Sequence, residues 1–191
     1  ALPIFIRARY KGNEMLQVQF TGTDERYADT GRVDLREGRF FTETENSHRV
    51  MVAVLGADAY KSLFGSEPAL RKIITVAGQQ FDVIGVMKKP ATALPGQSDN
   101  QILIPYFVMH KMFPASRDHV LMVKAREGQL AKAMDETRIS LRQARRDAYA
   151  DPDSFSMSTS DQLVEQFRSI TAMVFVALLV FSSIEIGRAH V

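Results

Sequence analysis

The chain has 191 residues, of which 46% are hydrophobic and 24% are charged. This balance is ordinary for a globular chain that buries a core, and the length suits one domain or two small subdomains. The formal net charge of +2, with acidic and basic residues interspersed, implies no strong field for nucleic acid. The absence of cysteine excludes disulfides, Cys-ligated zinc and thiol nucleophiles. The first residues read ALPIFIRARYKG, without an initiator Met or a signal pattern, so we expect the true start to lie upstream.

Alternating and β-branched residues in the first half predict strands joined by short helices. Residues 4–9 and 14–22 predict a hairpin, because the connection between them contains Gly and Asn. A second hairpin is predicted at Ala77 and Gly78. The other predicted elements are a helix at 24–29, a polar segment through Gly31 and Gly38, a strand at 49–55, a helix at 57–64 ended by Gly65, and strands at 72–76 and 79–87.

The second half is predicted to begin with a mobile surface loop over residues 88–100, which contain Pro, Gly and small polar residues. Leu130, Met134 and Leu141 recur at helical spacing, so we predict an amphipathic helix over residues 128–146 that packs on a sheet. The other predicted elements are a strand at 101–104 ended by Pro105, a helix at 106–112, and strands at 119–125 and 154–157.

Thr159 begins the last predicted helix, and together with Gln162 it fits a capping box. An apolar stripe that includes Phe167 continues this helix. Residues 169–184 contain no charge, but they are fewer than the roughly 20 residues that span a bilayer. We interpret them as the start of a transmembrane helix rather than a buried terminal helix, because the run is apolar all round. Arg168 would then lie near the interface, where a long cationic side chain reaches water.

The final seven residues, 185–191, read EIGRAHV and break the apolar run abruptly. They can be encoded by a nucleotide string that resembles the start of a widely used short-read sequencing adapter. We therefore expect residues 185–191 to be a sequencing artefact, and we assign no function to them.

The chain carries none of the motifs that are typical of catalytic or nucleotide-binding sites. GxSxG, HExxH, GxxxxGK[ST] and GxGxxG are absent, and no two of the four histidines have helical metal spacing. We interpret Arg142, Arg145 and Arg146 as a solvated helix end, with a phosphate site as the alternative. Paired carboxylates in turn-like segments predict solvated loops, with an acid/base pair or a Ca²⁺ site as the alternative. These pairs are Glu43 with Glu45, Asp24 with Glu25, and Asp151 with Asp153.

Eight short stretches carry a family resemblance through their order along the chain. They are residues 35–41, 52–56, 63–65, 73–78, 81–86, 102–105, 141–142 and 152–155. Ahead of an apolar helix, this combination resembles the extracytoplasmic core domain of ABC-transporter permeases of the MacB/FtsX type. The resemblance covers most of residues 15–184.

The residues singled out within these stretches have structural rather than catalytic roles. Gly38 predicts a turn before Phe40 enters the core, and Gly56 and Gly65 bracket a short helix. Gly85 in the middle of a strand predicts a bulge or close packing. The full set is Gly38, Arg39, Phe40, Leu55, Gly56, Phe64, Gly65, Ile84, Gly85, Val86 and Pro105. We predict no catalytic, cofactor-binding or metal-binding residue in this chain.

The resemblance implies an α+β fold with two subdomains. A porter-like subdomain, incomplete at its N-terminus, would take residues 1–40 and 115–168. A β-rich inserted subdomain would take residues 41–114, and residues 169–184 would be the first part of a truncated transmembrane helix.

The resemblance also implies a mechanical function. ATP and Mg would act on a separate ATP-binding subunit or domain, and membrane helices would pass the motion to the outer domains of a permease dimer. The further partners would be the lipid bilayer, a periplasmic adaptor and an outer-membrane channel. We expect this domain to lie outside the bacterial inner membrane, with Thr159, Phe167 and Arg168 on the coupling helix.

Three alternative functions remain open from the sequence. Within the same family, an FtsX-like or lipoprotein-release permease would act on a periplasmic partner. A membrane-anchored binding module and a membrane-tethered enzyme are the alternatives from other classes.

Overall fold

The computed structural model describes residues 4–30, 33–89, 99–115 and 119–159, and also residues 162, 165, 168–175 and 178. The chain divides into two compact units, Ala1–Lys124 and Ala125–Val191. Strands and helices occur together, which confirms the mixed α and β content that the sequence predicted.

Seven strands form one sheet in the described part of the first unit. They are β1 (Ile4–Tyr10), β2 (Asn13–Thr23), β3 (Leu35–Gly38), β4 (Val52–Leu55), β5 (Ile73–Val76), β6 (Gln79–Met87) and β7 (Gln101–Pro105). Their order is β3-β6-β4-β7-β2-β1-β5, and β5 also pairs with β6. This last pairing closes six of the strands into a ring, β6-β4-β7-β2-β1-β5. A closed ring leaves its strands fewer free edges for wrong pairing.

Strand β6 organises the sheet because it pairs with three other strands. Asp82 lies opposite Ile73 of β5 on one side and Val52 of β4 on the other. Farther along β6, Gly85 lies opposite Gly38 of β3. Strand β3 therefore continues along the edge of β6 beyond the point where β5 ends.

The ring joins segments that the family resemblance assigned to different subdomains. Strands β1 and β2 precede residue 40, whereas β5 and β7 follow it, yet β1 pairs with β5 and β2 pairs with β7. Backbone hydrogen bonds thus connect the two sides of the predicted boundary. One sheet therefore contains strands from both segments, and the two compact units are Ala1–Lys124 and Ala125–Val191.

Both predicted hairpins are confirmed. Strands β1 and β2 are antiparallel with Tyr10 opposite Asn13, and Lys11 in the turn takes a positive φ of 49°. Strands β5 and β6 are joined by Ala77 and Gly78, which have φ values of 49° and 78°. Two residues with positive φ form the type of turn that matches the twist of a tight hairpin.

Alternate residues of the strands fill the inside of the ring. Val18 and Phe20 of β2 and Phe81 and Val83 of β6 have no exposed surface. The rings of Phe20 and Phe81 meet edge to face with their centroids 5.7 Å apart. This period of two places one side of each strand in the core, as the alternation in the sequence predicted.

Helices contribute further side chains to the core of the first unit. They are α1 (Glu43–Ser47), α2 (Ala57–Phe64) and α3 (Tyr106–Met112), with a 3-10 helix at Glu25–Thr30. Leu63 of α2 and Met109 of α3 join the cluster inside the ring. A second, smaller cluster lies on the outer side of β4, β6 and β7, and consists of Phe41, Val52, Val54, Met87 and Leu103.

The second unit contains helix α4 (Leu130–Arg145), which confirms the predicted amphipathic helix. No residue of α4 is buried, however, so the expected packing of its apolar side on a sheet is not seen. The described residues of this unit include no strand that could cover that side.

Two predicted strands are wrong, and two elements were missed. Residues 119–125 and 154–157 are not in strands, although both segments have strand-like patterns. Side chains from Val120 to Val123 are between 42% and 66% exposed, and none of the strands in the described part of the chain pairs with this segment. The missed elements are the short strand β3 and the helix α1.

Residues at the predicted transmembrane segment are only partly described. Residues 168–175 and 178 are helical, and their side chains are exposed. In the described part of the chain, no helix is long and apolar enough to cross a membrane. The predicted artefact at residues 185–191 and most of the predicted loop at residues 88–100 lie outside the described residues.

Two glycines allow β3 to approach β6 closely, and we call this contact the Gly38–Gly85 crossing. A Cβ atom on Gly38, whose φ is +81°, would overlap the carbonyl oxygen of Ile84. A Cβ atom on Gly85 would lie 2.5 Å from the carbonyl oxygen of Arg39. The register between β4 and β6 also shifts at this point, so the bulge predicted around Gly85 is confirmed.

Replacing Gly85 with Ala is expected to destabilise the protein by about 1–3 kcal/mol, because the added Cβ meets backbone that cannot move freely. Gly12→Ala is the matched control, since nothing lies within 4 Å of a Cβ there. Its effect should stay within about 0.5 kcal/mol. Urea unfolding of both variants measures the difference, and equal stabilities would contradict the crossing.

Candidate functional site

The Gly38–Gly85 crossing fixes the position of Arg39. The backbone N–H of Arg39 donates to the carbonyl oxygen of Ile84 at 3.0 Å. Arg39 therefore leaves the sheet at a defined point, immediately before Phe40 and Phe41. The rings of these two residues stack with centroids 4.1 Å apart, and Phe41 is only 3% exposed. The predicted entry of the Phe pair into an apolar cluster is confirmed.

Arg39 and Glu45 form a bidentate ion pair in which both nitrogen–oxygen distances are 2.7 Å. Glu45 also completes a capping box with Thr42 at the start of α1. The hydrogen bonds from Arg39 lower the pKa of Glu45 to about 2, because they stabilise the ionised carboxylate. The same pair raises the pKa of the Arg39 guanidinium.

Asn46 is a buried polar residue that connects three elements of the first unit. Its side-chain N–H donates to Glu25 Oε2 at 3.1 Å, and its Oδ1 accepts from the backbone N–H of Phe107 at 3.3 Å. Asn46 itself belongs to α1, Glu25 to the 3-10 helix and Phe107 to α3. Because Asn46 is only 5% exposed, these bonds satisfy groups that water cannot reach freely.

Helix α2 begins against Asp99. The Asp99 carboxylate accepts from the backbone N–H of Ala57 at 2.9 Å, and a Cβ on Gly56 would overlap the Asp99 carbonyl oxygen. Asp58 accepts from the backbone N–H of Asp99 at 2.8 Å and from Lys89 at 3.1 Å. These bonds, with that from Asp99 first, lower the pKa of Asp58.

The other family-motif residues also occupy packing or turn positions. Leu55 and Val86 have no exposed surface, and Ile84 packs against the outer cluster. Phe64 lies 4.1 Å from the ring of Tyr10, measured between centroids. Gly65 ends α2 with a φ of 62°, and Pro105 precedes the first residue of α3. These contacts explain each motif by its place in the fold.

Three arginines on one face of α4 hold the segment that follows the helix. Arg138 and Arg142 both pair with the carboxylate of Asp153, at 3.1 and 2.6 Å. Arg145 donates to the carbonyl oxygen of Ser154 at 2.9 Å. Spacings of four and three residues place these arginines side by side on a helix.

Arg142 makes further contacts with the returning backbone. Its second terminal nitrogen donates to the carbonyl oxygens of Ala148 at 2.5 Å and Asp151 at 3.1 Å. The reversal occurs at Arg146, which has a left-handed φ of 60°. We call residues 147–154, which are held in this way, the elbow.

The predicted capping box at the last helix is confirmed. The backbone N–H of Thr159 donates to Gln162 Oε1 at 3.0 Å, and Thr159 Oγ1 accepts from the N–H of Gln162 at 3.2 Å. Arg168 is exposed and lies 3.8 Å from Glu165. Phe167, the third predicted coupling residue, lies outside the described residues.

The structure corrects the interpretation of two acidic pairs and one basic cluster. Glu45 and Asp153 are partners of arginines rather than members of solvated loops. Arg142 and Arg145 bind the elbow, so they are not simply a solvated helix end. The spacing between Arg142 and Asp153 is too large for a helical pair, which is why the sequence did not reveal it.

The described histidines bear on the alternative of an enzyme or metal site. His48 Nδ1 lies 2.8 Å from the carbonyl oxygen of Thr44, and His119 Nε2 lies 2.7 Å from the hydroxyl of Tyr106. Among the described residues, no group of three His, Cys, Asp or Glu side chains has the arrangement of a metal site.

Comparison with known proteins identifies the family. The profile described as MacB-like periplasmic core domain matches residues 2–138. The chain belongs to this family. A MacB-like periplasmic core domain is the extracytoplasmic part of an ABC-transporter permease, as the motif order had indicated.

Relatives of the MacB-like domain match over short parts of their own length. The macrolide export ATP-binding/permease protein MacB of Bdellovibrio bacteriovorus is 38% identical over 77 residues, or 40% of this chain and 12% of that protein. MacB of Chlorobaculum tepidum is 28% identical over 155 residues, or 78% of this chain and 23% of that protein. The pyoverdine export protein PvdT of Pseudomonas aeruginosa is 30% identical over 117 residues, or 58% and 18%. The chain thus spans less than a quarter of the length of these three relatives.

Solved structures show the same fold as the MacB-like domain. The periplasmic region of MacB from Actinobacillus actinomycetemcomitans superposes with a TM-score of 0.65 at 17% identity, covering 87% of this chain and 73% of that one. The extracellular domain of the transporter YknZ from Gram-positive bacteria gives 0.61 at 22% identity, covering 78% and 75%.

Sequence reasoning missed Asn46 and the capping box at Thr42 in this MacB-like domain. A signal for the second was present, because Thr42 and Glu45 have the same spacing as Thr159 and Gln162. No comparable signal exists for Asn46, whose partners lie on other elements.

Replacing Glu45 with Gln is expected to lower stability by about 1–2 kcal/mol near pH 7, because it removes the charge that Arg39 binds; water around the exposed Arg39 side chain screens the pair and keeps the loss small. Because the pKa of Glu45 is depressed to about 2, the pair stabilises the fold above the unfolded pKa and its contribution is lost as the pH falls toward the folded value. Urea unfolding at about pH 7 and about pH 3 should therefore show a smaller difference between wild type and Glu45→Gln at the lower pH.

Glu43→Gln is the control for this experiment. Glu43 lies in the same first turn of α1 but is exposed. A pH-dependent difference of the same size in Glu43→Gln would contradict the assignment to the Arg39–Glu45 pair.

Proposed function

We propose that this MacB-like domain transmits ATP-driven motion from the membrane to the outer side, where a substrate is exported or extracted. The observation that carries the proposal is the family match over residues 2–138, followed in the chain by a capping box at Thr159 and by exposed apolar side chains on helical residues from Ile170 to Leu178. The domain would act as one part of a permease rather than as a catalyst.

The exposed helical residues support membrane insertion of the C-terminal segment. Ile170, Met173, Val174, Phe175 and Leu178 are each between 53% and 73% exposed. Contiguous apolar surface of this kind is unfavourable in water, at about 25 cal/mol for each Å², and marks a membrane or protein contact. Residues 169–184 contain no charged side chain, which favours the lipid bilayer as the contact.

A helix is suited to carry motion because it resists compression and bending over its length. Its first turn is closed by Thr159, so its end is defined rather than frayed. Arg168, with a side chain that is 75% exposed, would lie at the interface. From there the helix would connect the bilayer directly to the folded domain.

The remaining components would lie on other parts of the transporter. ATP and Mg would bind an ATP-binding subunit or domain, as the names of the relatives suggest, and two permeases would form a dimer. A periplasmic adaptor and an outer-membrane channel would complete the export path from the bacterial inner membrane. This chain would supply no catalytic, cofactor-binding or metal-binding group.

Replacing Phe167 with Pro in the complete transporter is expected to uncouple ATP hydrolysis from movement of the outer domains, because Pro removes a backbone donor and kinks a helix. Cysteine labels at Gln80, on the exposed side of β6, report movement between the two protomers through pulsed electron resonance distances. The variant should hydrolyse ATP while the label distance no longer responds to nucleotide.

Phe167→Leu is the matched control, since Leu keeps an apolar residue that continues a helix. It should respond to nucleotide like the wild type. A full distance change in Phe167→Pro would refute the helical rod as the coupling element.

A further inference from the structure

The connection between α4 and the C-terminal helix has a held part and a free part. The elbow, residues 147–154, is held by Arg138, Arg142 and Arg145. Phe155 follows, with its ring centroid 6.0 Å from the guanidinium of Arg145, and the described hydrogen bonds include none from residues 156–158. Thr159 then caps the next helix. Three residues, 156–158, therefore separate a segment fixed to α4 from a segment fixed to the C-terminal helix.

Residues 156–158, between Phe155 and Thr159, form the free part of the connection. Its length determines how much displacement of the C-terminal helix can be passed to α4. Three extended residues reach at most about 10 Å, because each residue adds about 3.4 Å. If the elbow were released, the free part would comprise residues 147–158 and reach about 40 Å on the same basis. A long slack connection absorbs displacement, whereas a short one transfers it.

Arg142 contributes most to keeping the elbow closed. It contacts both the side chain of Asp153 and the backbone at Ala148 and Asp151. The side chains of Arg142 and Asp153 are only 23% and 27% exposed, so water shields this pair incompletely. A planar guanidinium can donate in several directions at once, which a Lys ammonium does less well.

We propose, building on the proposed function, that Arg142 is a positioning residue that keeps the elbow closed, so that displacement of the helix beginning at Thr159 is passed to α4. The same contact makes α4 and the start of that helix move together. Asp153 is its principal partner, and Arg138 and Arg145 support the closed form.

The experiment uses the complete transporter in lipid nanodiscs, with one cysteine label in each protomer of the dimer. One sample carries the label at Asp135, which is exposed on α4, and a second carries it at Glu165, whose side chain is 76% exposed on the C-terminal helix. Distances between the two protomers are measured without nucleotide and with a non-hydrolysable ATP analogue. The natural chain contains no cysteine, so the labels are specific within it.

Wild type is expected to show a nucleotide-dependent change at both positions. In Arg142→Met the change at Glu165 should persist, while the change at Asp135 should fall to less than half. Arg142→Lys should restore part of the response at Asp135, since it keeps the charge beside Asp153. Arg146→Met is the matched control, because the side chain of Arg146 makes none of the described hydrogen bonds, and it should behave as wild type.

A second variant does not depend on the folding of Arg142→Met. Inserting three glycines between Ser156 and Met157 lengthens the free part while leaving every contact of Arg142 in place. It should reduce the response at Asp135 in the same way.

The outcomes separate the inference from the function on which it rests. A full response at Asp135 in both Arg142→Met and the insertion variant overturns the role of the elbow and leaves the mechanical function standing. An equal loss in Arg146→Met also overturns the role of Arg142. If wild type shows no change at Glu165, the proposed function itself is refuted.

Discussion

The contact between two backbones at the Gly38–Gly85 crossing is the constraint on which the outer layer of the first unit depends. Neither glycine has room for a side chain, because each faces a carbonyl oxygen of the other strand. With the strands at this distance, Arg39 emerges beside α1 and meets Glu45. The ion pair then fixes α1, and Asn46 of α1 reaches two further elements. The close contact at two glycines thus sets the position of Arg39 and, through its ion pair, of α1.

The sequence predicted correctly those helices and turns that are determined by residues close together in the chain. Helix α2 and helix α3 have the bounds that the sequence predicted, because Gly65 ends the first and Pro105 precedes the second. The turn at Ala77 and Gly78 needs only two residues with positive φ, and both hairpins were therefore predictable. The capping box at Thr159 was predictable for the same reason.

Predictions failed where the outcome depends on distant partners. Residues 119–125 contain an apolar run that suggested a strand, but a strand forms only where another strand supplies hydrogen bonds. The pair between Arg142 and Asp153 joins residues eleven positions apart, and no spacing rule selects it from the other charged residues. Strand β3 has only four residues, which is too short for a recognisable pattern. It forms because its backbone pairs with the edge of β6. Closure of the ring is likewise a property of the whole sheet, because it needs the distant pairs of β1 with β5 and of β2 with β7.

The charged pairs make different contributions to the two units. In the first unit, strand pairing around the ring already resists deformation, and Arg39 with Glu45 adds α1 to that body. In the second unit no strand is described, so stiffness there depends on side chains, above all on Arg142. The same kind of bond therefore has a different consequence in each unit. Loss of Glu45 weakens a body that its backbone also holds together, whereas our proposal implies that loss of Arg142 would release the elbow between α4 and the helix that begins at Thr159.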